Sequence, residues 1–248
     1  MDMNRNDEDW QSRTRLLLGD DAVERLGRAS VLVAGVGGVG GYVLEMLARS
    51  GVGAITAVDS DAVAPGNINR QLIASRATVG QPKVTLWAER VAAINPDCRF
   101  TPLERYIDTS GAASLLEPGF DFVADCIDTV APKVELLARC LTLRIPVISS
   151  MGAGGRLDPT LVRYGHLADT REDGLARAVR QGFKRRGICG NPRVVWSAEA
   201  PRRRSLIQLC EANKRSSFGT LASIPAIFGL YMANAIVLRL AGVETHSN

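Results

Sequence analysis

Histidines and closely spaced cysteines are scarce in this sequence. Its 248 residues include two histidines and five cysteines, and no two cysteines form a C-x-x-C pair. An odd number of cysteines at such spacings indicates neither a disulfide framework nor a structural zinc site. The cysteines are those at positions 98, 126, 140, 189 and 210.

Charge of one sign is also limited, because 30 basic residues stand against 26 acidic ones and the formal net charge is +4. This excess is too small to require a nucleic-acid partner by itself. The N-terminus is polar and has no apolar signal region, which leads us to predict a cytoplasmic protein. The longest apolar run, at 218–242, is close to the length of a membrane span. Because it contains Ser223, Pro225 and Asn234, we interpret it as a buried C-terminal helix without stable membrane insertion.

The clearest local pattern is an apolar strand followed by a glycine-rich turn and a helix. Gly35, Gly37 and Gly40 fit G-x-G-x-x-G between the strand and the helix, and Gly38 adds another glycine. The first glycine permits a tight turn, the second lets a phosphate approach the backbone, and the third allows close helix–strand packing. Free N–H groups and the positive end of the helix then favour phosphate binding.

A second strand at 54–59 ends in Asp59, an acid placed to bind ribose hydroxyls. The alternation of strand and helix patterns predicts an α/β protein of Rossmann-like type. We expect a mostly parallel sheet with helices on both faces, extended by an antiparallel part in the C-terminal half. A single domain would span 1–248, with a nucleotide-binding half at about 12–150 and a substrate and dimer half at about 151–242.

A set of polar residues after the second strand resembles the E1-like activating-enzyme superfamily, whose members adenylate carboxylates with ATP. Charge builds on the phosphates when the α-phosphate is attacked, and Arg and Lys are the usual stabilisers of that charge. A redox enzyme of the same fold has no evident need for them. The set consists of Asp61, Asn69, Arg70, Gln71 and Lys83.

A buried parallel strand is predicted from Phe120 and ends in acids, where ligands of such sheets gather. The activating-enzyme motif D-x-x-D matches Asp125 and Asp128, and the metal-binding aspartate of the family falls on Asp128. Mg²⁺ is typically bound by one or two carboxylates and phosphate oxygens, so Asp128 is the predicted metal ligand. We expect Asp125 to be structural.

The resemblance covers about Arg13 to Ala241. Within the superfamily the chain is most similar to the tRNA threonylcarbamoyladenosine dehydratases. The segments that carry it are 67–71, 125–133, 149–155, 158–159 and 194–199. It implies ATP-dependent activation of the carboxylate of N6-threonylcarbamoyladenosine at position 37 of tRNA, followed by cyclisation with net loss of water. It further implies ATP and Mg²⁺ as cofactors, a homodimer in which Arg15 reaches the partner subunit's site, and a possible sulfur-transfer partner protein.

The second half contains a basic amphipathic helix between two predicted strands. Its clustered charge favours a polyanion partner such as tRNA. The basic residues are Arg171, Arg177, Arg180, Lys184, Arg185 and Arg186, with more at 202–204 and 214–215.

Three alternatives remain open on the sequence. Activation of a ubiquitin-like sulfur-carrier protein is the first, although the two C-x-x-C pairs that often occur in such enzymes are missing. An NAD-dependent oxidoreductase is the second, and a non-catalytic nucleotide-binding scaffold is the third. Some relatives have a cysteine shortly before the segment equivalent to Phe218-Gly219, but this chain has none there, so we assign no covalent cysteine.

Overall fold

A seven-stranded sheet forms the centre of the protein in this computed structural model, which describes residues 9–211 and 214–243, without the side chains at 113, 209–211 and 214–217. The strands are β1 (Ser30–Ala34), β2 (Ala54–Val58), β3 (Arg99–Leu103), β4 (Phe122–Asp125), β5 (Val147–Ser150), β6 (Val162–His166) and β7 (Arg193–Ser197). Their order is β3-β2-β1-β4-β5-β7-β6, and all pairs are parallel except β6–β7. The predicted Rossmann-like sheet and its antiparallel extension are therefore confirmed.

Helices cover both faces of the sheet. They are α1 (Ser12–Leu18), α2 (Asp20–Arg28), α3 (Gly40–Arg49), α4 (Lys83–Ile94), α5 (Gly111–Ser114), α6 (Val130–Leu143), α7 (Gly174–Arg185) and α8 (Ser223–Ala241). One hydrophobic core combines residues of α2, α3, α4 and α8 with one face of the strands, and a second combines α5, α6 and α7 with the other. Because both faces are covered, the central strands are continuous apolar runs rather than alternating ones.

Helix α8 belongs to the first core. Ile224, Phe228, Met232 and Ile236 recur at four-residue intervals, and each is completely buried. A Cβ at Gly229 would lie 2.6 Å from the Val39 carbonyl oxygen, so the glycine permits close packing of α8 beside the start of α3. By length and composition α8 could also cross a membrane, but half of its apolar window is buried inside the protein. These contacts agree with the interpretation of this segment as a core helix.

Two sequence predictions about the ends of the chain were wrong in detail. The spacing of apolar residues at 12–26 predicts a single helix, but the structure divides this segment into α1 and α2 at Gly19, whose φ is +86°. The predicted apolar helix begins at Ser223 rather than Phe218, because Phe218 ends the second strand of a hairpin formed by β8 (Leu206–Glu211) and β9 (Lys214–Phe218). The sequence analysis did not predict this hairpin. The side chains of Cys210, Lys214 and Arg215 lie outside the described ones.

A fully buried ion pair fixes the end of β4. Lys133 Nζ donates to Asp125 Oδ2 at 2.6 Å, to Ser149 Oγ at 2.9 Å and to the Ser150 carbonyl oxygen at 3.0 Å. Asp125 also accepts from the Ile127 N–H at 3.1 Å, and both charged side chains are 0% exposed. Asp125 is thus structural, as expected, and the network joins β4, β5 and α6 just below the segment that carries Asp128.

We expect Lys133→Met to destabilise the protein strongly, because it leaves the Asp125 carboxylate buried without its cation. Breaking one partner of a buried pair typically costs about 3–5 kcal/mol. The free energy of unfolding, measured by urea denaturation, should fall by that amount. The double variant Asp125→Asn/Lys133→Met should recover part of the loss. An equal loss in the double variant would show that the ion pair is not the cause.

Candidate functional site

A cavity of about 940 Å³ opens at the carboxyl ends of β1, β2, β4 and β5. This is the edge at which ligands of open parallel sheets bind. Ten of the twelve residues predicted for the site line it: Gly35, Gly37, Gly38, Asp59, Asp61, Asn69, Arg70, Gln71, Lys83 and Asp128. Gly40 and Arg15 do not contribute to the described cavity wall.

Steric constraints explain the two outer glycines of the turn, Gly35 and Gly40. Gly35 has a φ of +87°, and its N–H donates to the Val58 carbonyl oxygen at 2.8 Å. A Cβ at Gly40 would lie 1.8 Å from the Gly35 carbonyl oxygen, so only glycine allows α3 to start against this turn. Gly37 and Gly38 lie between them in the cavity wall, where backbone can approach a ligand closely.

Asp59, Asp61 and Lys83 form a charged cluster on one side of the cavity. Lys83 is 4% exposed, and its Nζ lies 2.7 Å from Asp61 Oδ2 and 3.9 Å from Asp59 Oδ1. The Asp59 carboxylate also accepts from the N–H groups of Val36 at 2.8 Å and Asp61 at 2.9 Å. Burial raises the pKa of Asp59, and the charge of Lys83 opposes that rise. Asp59 therefore shapes the loops as well as the cavity, and its ribose contact stays a prediction.

Arg70 is held by its own segment beside the glycine turn. Its Nη1 donates to the Gly66 carbonyl oxygen and to Asn69 Oδ1, both at 2.8 Å. Asn69 in turn donates to the Thr220 carbonyl oxygen at 3.0 Å, which connects this segment to the region before α8. A Cβ at Gly38 would lie 3.4 Å from the Arg70 side chain. The guanidinium is thus oriented next to the backbone that is predicted to hold phosphates.

Asp128 follows β4 and lies in the cavity wall. Within the described residues, no group of three or more His, Cys, Asp or Glu side chains could hold a metal ion on its own. A single carboxylate on the cavity wall fits Mg²⁺, which is usually held by one or two carboxylates together with nucleotide phosphates. The donor set is therefore compatible with a nucleotide-bound ion rather than a resident one.

Arg15 lies on α1, away from the described cavity wall. Its Nε donates to Asp9 Oδ2 at 2.6 Å and its Nη1 to Asp20 Oδ1 at 3.1 Å. In the same helix Leu16 and Leu17 are 81% and 82% exposed. The predicted action of Arg15 on a second subunit stays a prediction.

Arg156 and Asp173 also line the cavity, although neither was predicted from the sequence as a site residue. Arg156 is 3% exposed, and its Nη2 lies 3.6 Å from Asp173 Oδ2. The glycines before Arg156 were a partial signal for a site here. Gly154 is needed for packing, since its Cβ would lie 2.8 Å from the Phe218 Cβ.

The described thiols are poor candidates for a nucleophile. Cys126 contributes to the cavity wall, but burial raises its pKa, so the reactive thiolate is disfavoured. Burial also raises the pKa of Cys98 to about 11 and that of Cys140 to about 12. Cys189 is exposed and lies outside the described cavity wall. These features agree with the assignment of no covalent cysteine.

Comparison with known proteins gives consistent matches along nearly the whole chain. The ThiF family model matches residues 11–248. The tRNA threonylcarbamoyladenosine dehydratase of Bacillus subtilis (strain 168) is 38% identical over 237 residues, covering 92% of this chain and 93% of the relative. The enzyme of the same name from Escherichia coli (strain K12) is 36% identical, with 89% and 90% covered.

Solved structures agree with the sequence matches. The E. coli tRNA N6-threonylcarbamoyladenosine dehydratase in complex with ATP superposes with a TM-score of 0.86 at 33% identity, covering 96% of this chain and 97% of that one. Its complex with AMP gives a TM-score of 0.84. By contrast, the molybdopterin-synthase adenylyltransferase of Salmonella typhimurium (strain LT2) is 42% identical over 135 residues but covers only 54% of this chain and 53% of its own length. On the fold, the motifs and these matches, the chain belongs to the ThiF family of E1-like enzymes.

Proposed function

We propose that this protein uses ATP to adenylate the carboxylate of N6-threonylcarbamoyladenosine at position 37 of tRNA and then cyclises the modified base. The observation that carries the proposal is the single cavity in which the glycine turn, Arg70, Lys83 and Asp128 meet the segment after β5. Relatives that match over about nine tenths of the chain share the name of this activity. The structural relative has been solved with ATP and with AMP, the two nucleotides that such a reaction consumes and releases.

The cavity suggests how ATP lies in it. The phosphates would rest on the backbone of Gly37 and Gly38, with Arg70 alongside, and Asp59 would accept from the ribose hydroxyls. Lys83 is buried against Asp61 and would exchange this partner for phosphate oxygens, supported by Asn69 and Gln71. Asp128 would hold Mg²⁺, which supplies Lewis-acid neutralisation of phosphate charge when bound.

In the first step a carboxylate oxygen of the substrate attacks the α-phosphorus. The bond from the α-phosphorus to the oxygen that bridges to the β-phosphate breaks, and pyrophosphate leaves with that oxygen and its electron pair. Negative charge accumulates on the phosphate oxygens during the attack. Arg70 and Lys83 stabilise it most in the transition state, which is where stabilisation accelerates a reaction.

In the second step a nucleophilic atom of the same threonylcarbamoyl group attacks the acyl carbon. It loses a proton, AMP leaves, and a five-membered ring of hydantoin or oxazolone type remains. Over both steps the base has lost one water molecule, whose oxygen leaves in AMP. Because nucleophile and electrophile belong to one group, proximity favours closure and no enzyme thiol is needed. This matches the raised pKa of the Cys126 thiol at the cavity wall.

The basic surface of α7 supports tRNA as the substrate. Arg171, Arg177, Lys184 and Arg185 are exposed and available to phosphates. Two other predicted members are committed internally: Arg180 donates to the carbonyl oxygens of Leu167 and Thr170, and Arg186 pairs with Glu135. The surface proposed to bind tRNA phosphates therefore has fewer basic side chains available than the sequence predicted.

A homodimer would explain the exposed leucines of α1. Leu16 and Leu17 follow Arg15 directly on a helix with no buried residue in the described part of the chain, and such apolar exposure suits an interface. Docking α1 on a second copy would bring Arg15 toward the partner's cavity. A sulfur-transfer partner protein and the cytoplasmic location stay predictions.

The test of the function is AMP formation in the presence of tRNA with or without the threonylcarbamoyl group. We expect AMP and pyrophosphate only with the modified tRNA, together with loss of one water mass from the nucleoside. Pyrophosphate exchange that depends on a small sulfur-carrier protein instead would favour the protein-activating alternative. No ATP turnover with any substrate would favour the scaffold, and hydride transfer to NAD would favour the oxidoreductase.

Removing Arg70 should slow adenylation without unfolding the protein. We expect Arg70→Ala to lower the rate of AMP formation by roughly tenfold or more, the scale of losing one partner of transition-state charge. Arg76→Ala is the matched control, since Arg76 is an exposed arginine outside the described cavity wall. Equal rates in the two variants would remove Arg70 from the site.

Mixing two impaired variants tests whether Arg15 acts on the partner subunit. Arg15→Ala and Arg70→Ala chains, unfolded together and refolded, would form mixed dimers with one intact site each. Random pairing then restores roughly a quarter of the wild-type sites, whereas action within one chain restores none. AMP formation measured against the unmixed variants distinguishes the two outcomes.

A further inference from the structure

Arg156 is a buried arginine with unused hydrogen-bond donors at the wall of the cavity. Its Nη2 donates to the Glu172 carbonyl oxygen at 2.8 Å and lies 3.6 Å from Asp173 Oδ2. Its Nε and Nη1 are shielded from solvent and donate no hydrogen bond within the described part of the chain. A buried guanidinium with two nitrogens that donate no hydrogen bond is unusual, because buried donors are nearly always paired.

The acids around Arg156 balance its charge but leave these donors unused. Asp173 accepts from the Gly152 N–H at 3.0 Å and from the Ala176 N–H at 2.8 Å, where it caps α7. Glu199 accepts from the N–H groups of Leu157 and Asp158. Burial lowers the pKa of Arg156 and raises that of Asp173, because it removes both charged groups from water. The protein therefore holds the guanidinium in place through Nη2, while Nε and Nη1 have no acceptor among the described residues.

The position of Arg156 separates it from the residues assigned to ATP. The segment Gly152–Arg156 follows β5, and β4 lies between β5 and the strand that leads into the glycine turn. Adjacent strands are about 4.8 Å apart, so the two segments emerge about 10 Å from each other. Both face one cavity. A group bound by Arg156 would thus lie beside the nucleotide.

We propose that Arg156 binds the carboxylate of the threonylcarbamoyl group before it is adenylated. The planar guanidinium presents paired N–H donors that match a carboxylate in a way that a lysine cannot. The inference rests on the proposed function, since it names the residue that holds the acyl substrate. Adenylation converts the anion to a neutral acyl group. Before that conversion is complete, in the loose transition state of the attack, the carboxylate keeps much of its negative charge, so Arg156 holds the substrate and the transition state to a similar degree. Loss of the interaction therefore raises KM and changes kcat little.

The experiment compares three tRNA probes: one with the threonylcarbamoyl group, one with its methyl ester, and one without it. Wild-type protein should bind the free carboxylate roughly ten- to a hundredfold more tightly than the ester, the range for a charged hydrogen-bonded contact. Arg156→Gln should abolish that preference and raise KM by the same factor, while kcat changes by less than about threefold. Arg156→Lys should retain part of the preference, because it keeps the charge without the fork.

Arg28→Gln is the matched control, since Arg28 is an exposed arginine on α2 paired only with Glu24 among the described residues. Folding is checked by the melting temperature and by its rise with ATP, which Arg156→Gln should keep. If Arg156→Gln does not fold, the same comparison with Arg156→Lys decides. An unchanged preference for the carboxylate in the variant that folds would overturn the assignment and leave the dehydratase function standing. If wild-type protein forms no AMP with modified tRNA, the proposed function itself fails.

Discussion

The contact between Gly40 and the Gly35 carbonyl oxygen is the constraint on which the site depends. A Cβ at Gly40 would lie only 1.8 Å from that oxygen. Because glycine has no Cβ, α3 begins directly against the turn that follows β1. This places the free N–H groups of the helix start over the carboxyl edge of the sheet. Helix α8 then packs on α3 through Gly229, and Pro225 at its start borders the same cavity. Two close backbone contacts, at Gly40 and at Gly229, therefore position the glycine turn of the cavity wall and the C-terminal helix.

The two halves suggested by the sequence both contribute strands to one sheet. The boundary near 150 falls at the end of β5, which pairs in parallel with β7 from the second half. The Asp125–Lys133 pair reaches Ser149 on that strand, and Phe218 of the hairpin packs on Gly154 and Gly155. The segment that carries Arg156 is thus built on the same sheet as the glycine turn, which fixes the distance between these two parts of the cavity wall.

Most of the fold and much of the site could be predicted because the relevant rules are local. Glycine spacing reflects backbone clearance, and residues at the carboxyl ends of parallel strands must converge wherever the loops run. The hairpin β8–β9 was not predictable in this way, since β9 is mostly polar and the sequence between the two strands carries no tight-turn signal. Arg156 was missed because its burial depends on Glu172 and Asp173, which come from a distant segment. The spacing of apolar residues predicted a helix that contains Leu16 and Leu17. Spacing alone does not show whether the apolar face of such a helix packs on the core of this chain or stays exposed.

The burial of α8 has a consequence for the order in which the protein folds. The first core contains α2, α3 and strands made early in synthesis, yet its central helix comes from residues 223–241. Contacts between elements so far apart in sequence carry a large loop-closure cost and tend to form slowly. Until α8 leaves the ribosome, the part of α3 that α8 covers in the folded protein stays exposed. A nascent chain of this protein therefore exposes an apolar surface to chaperones until residues 223–241 are made, and only then can the first core be completed.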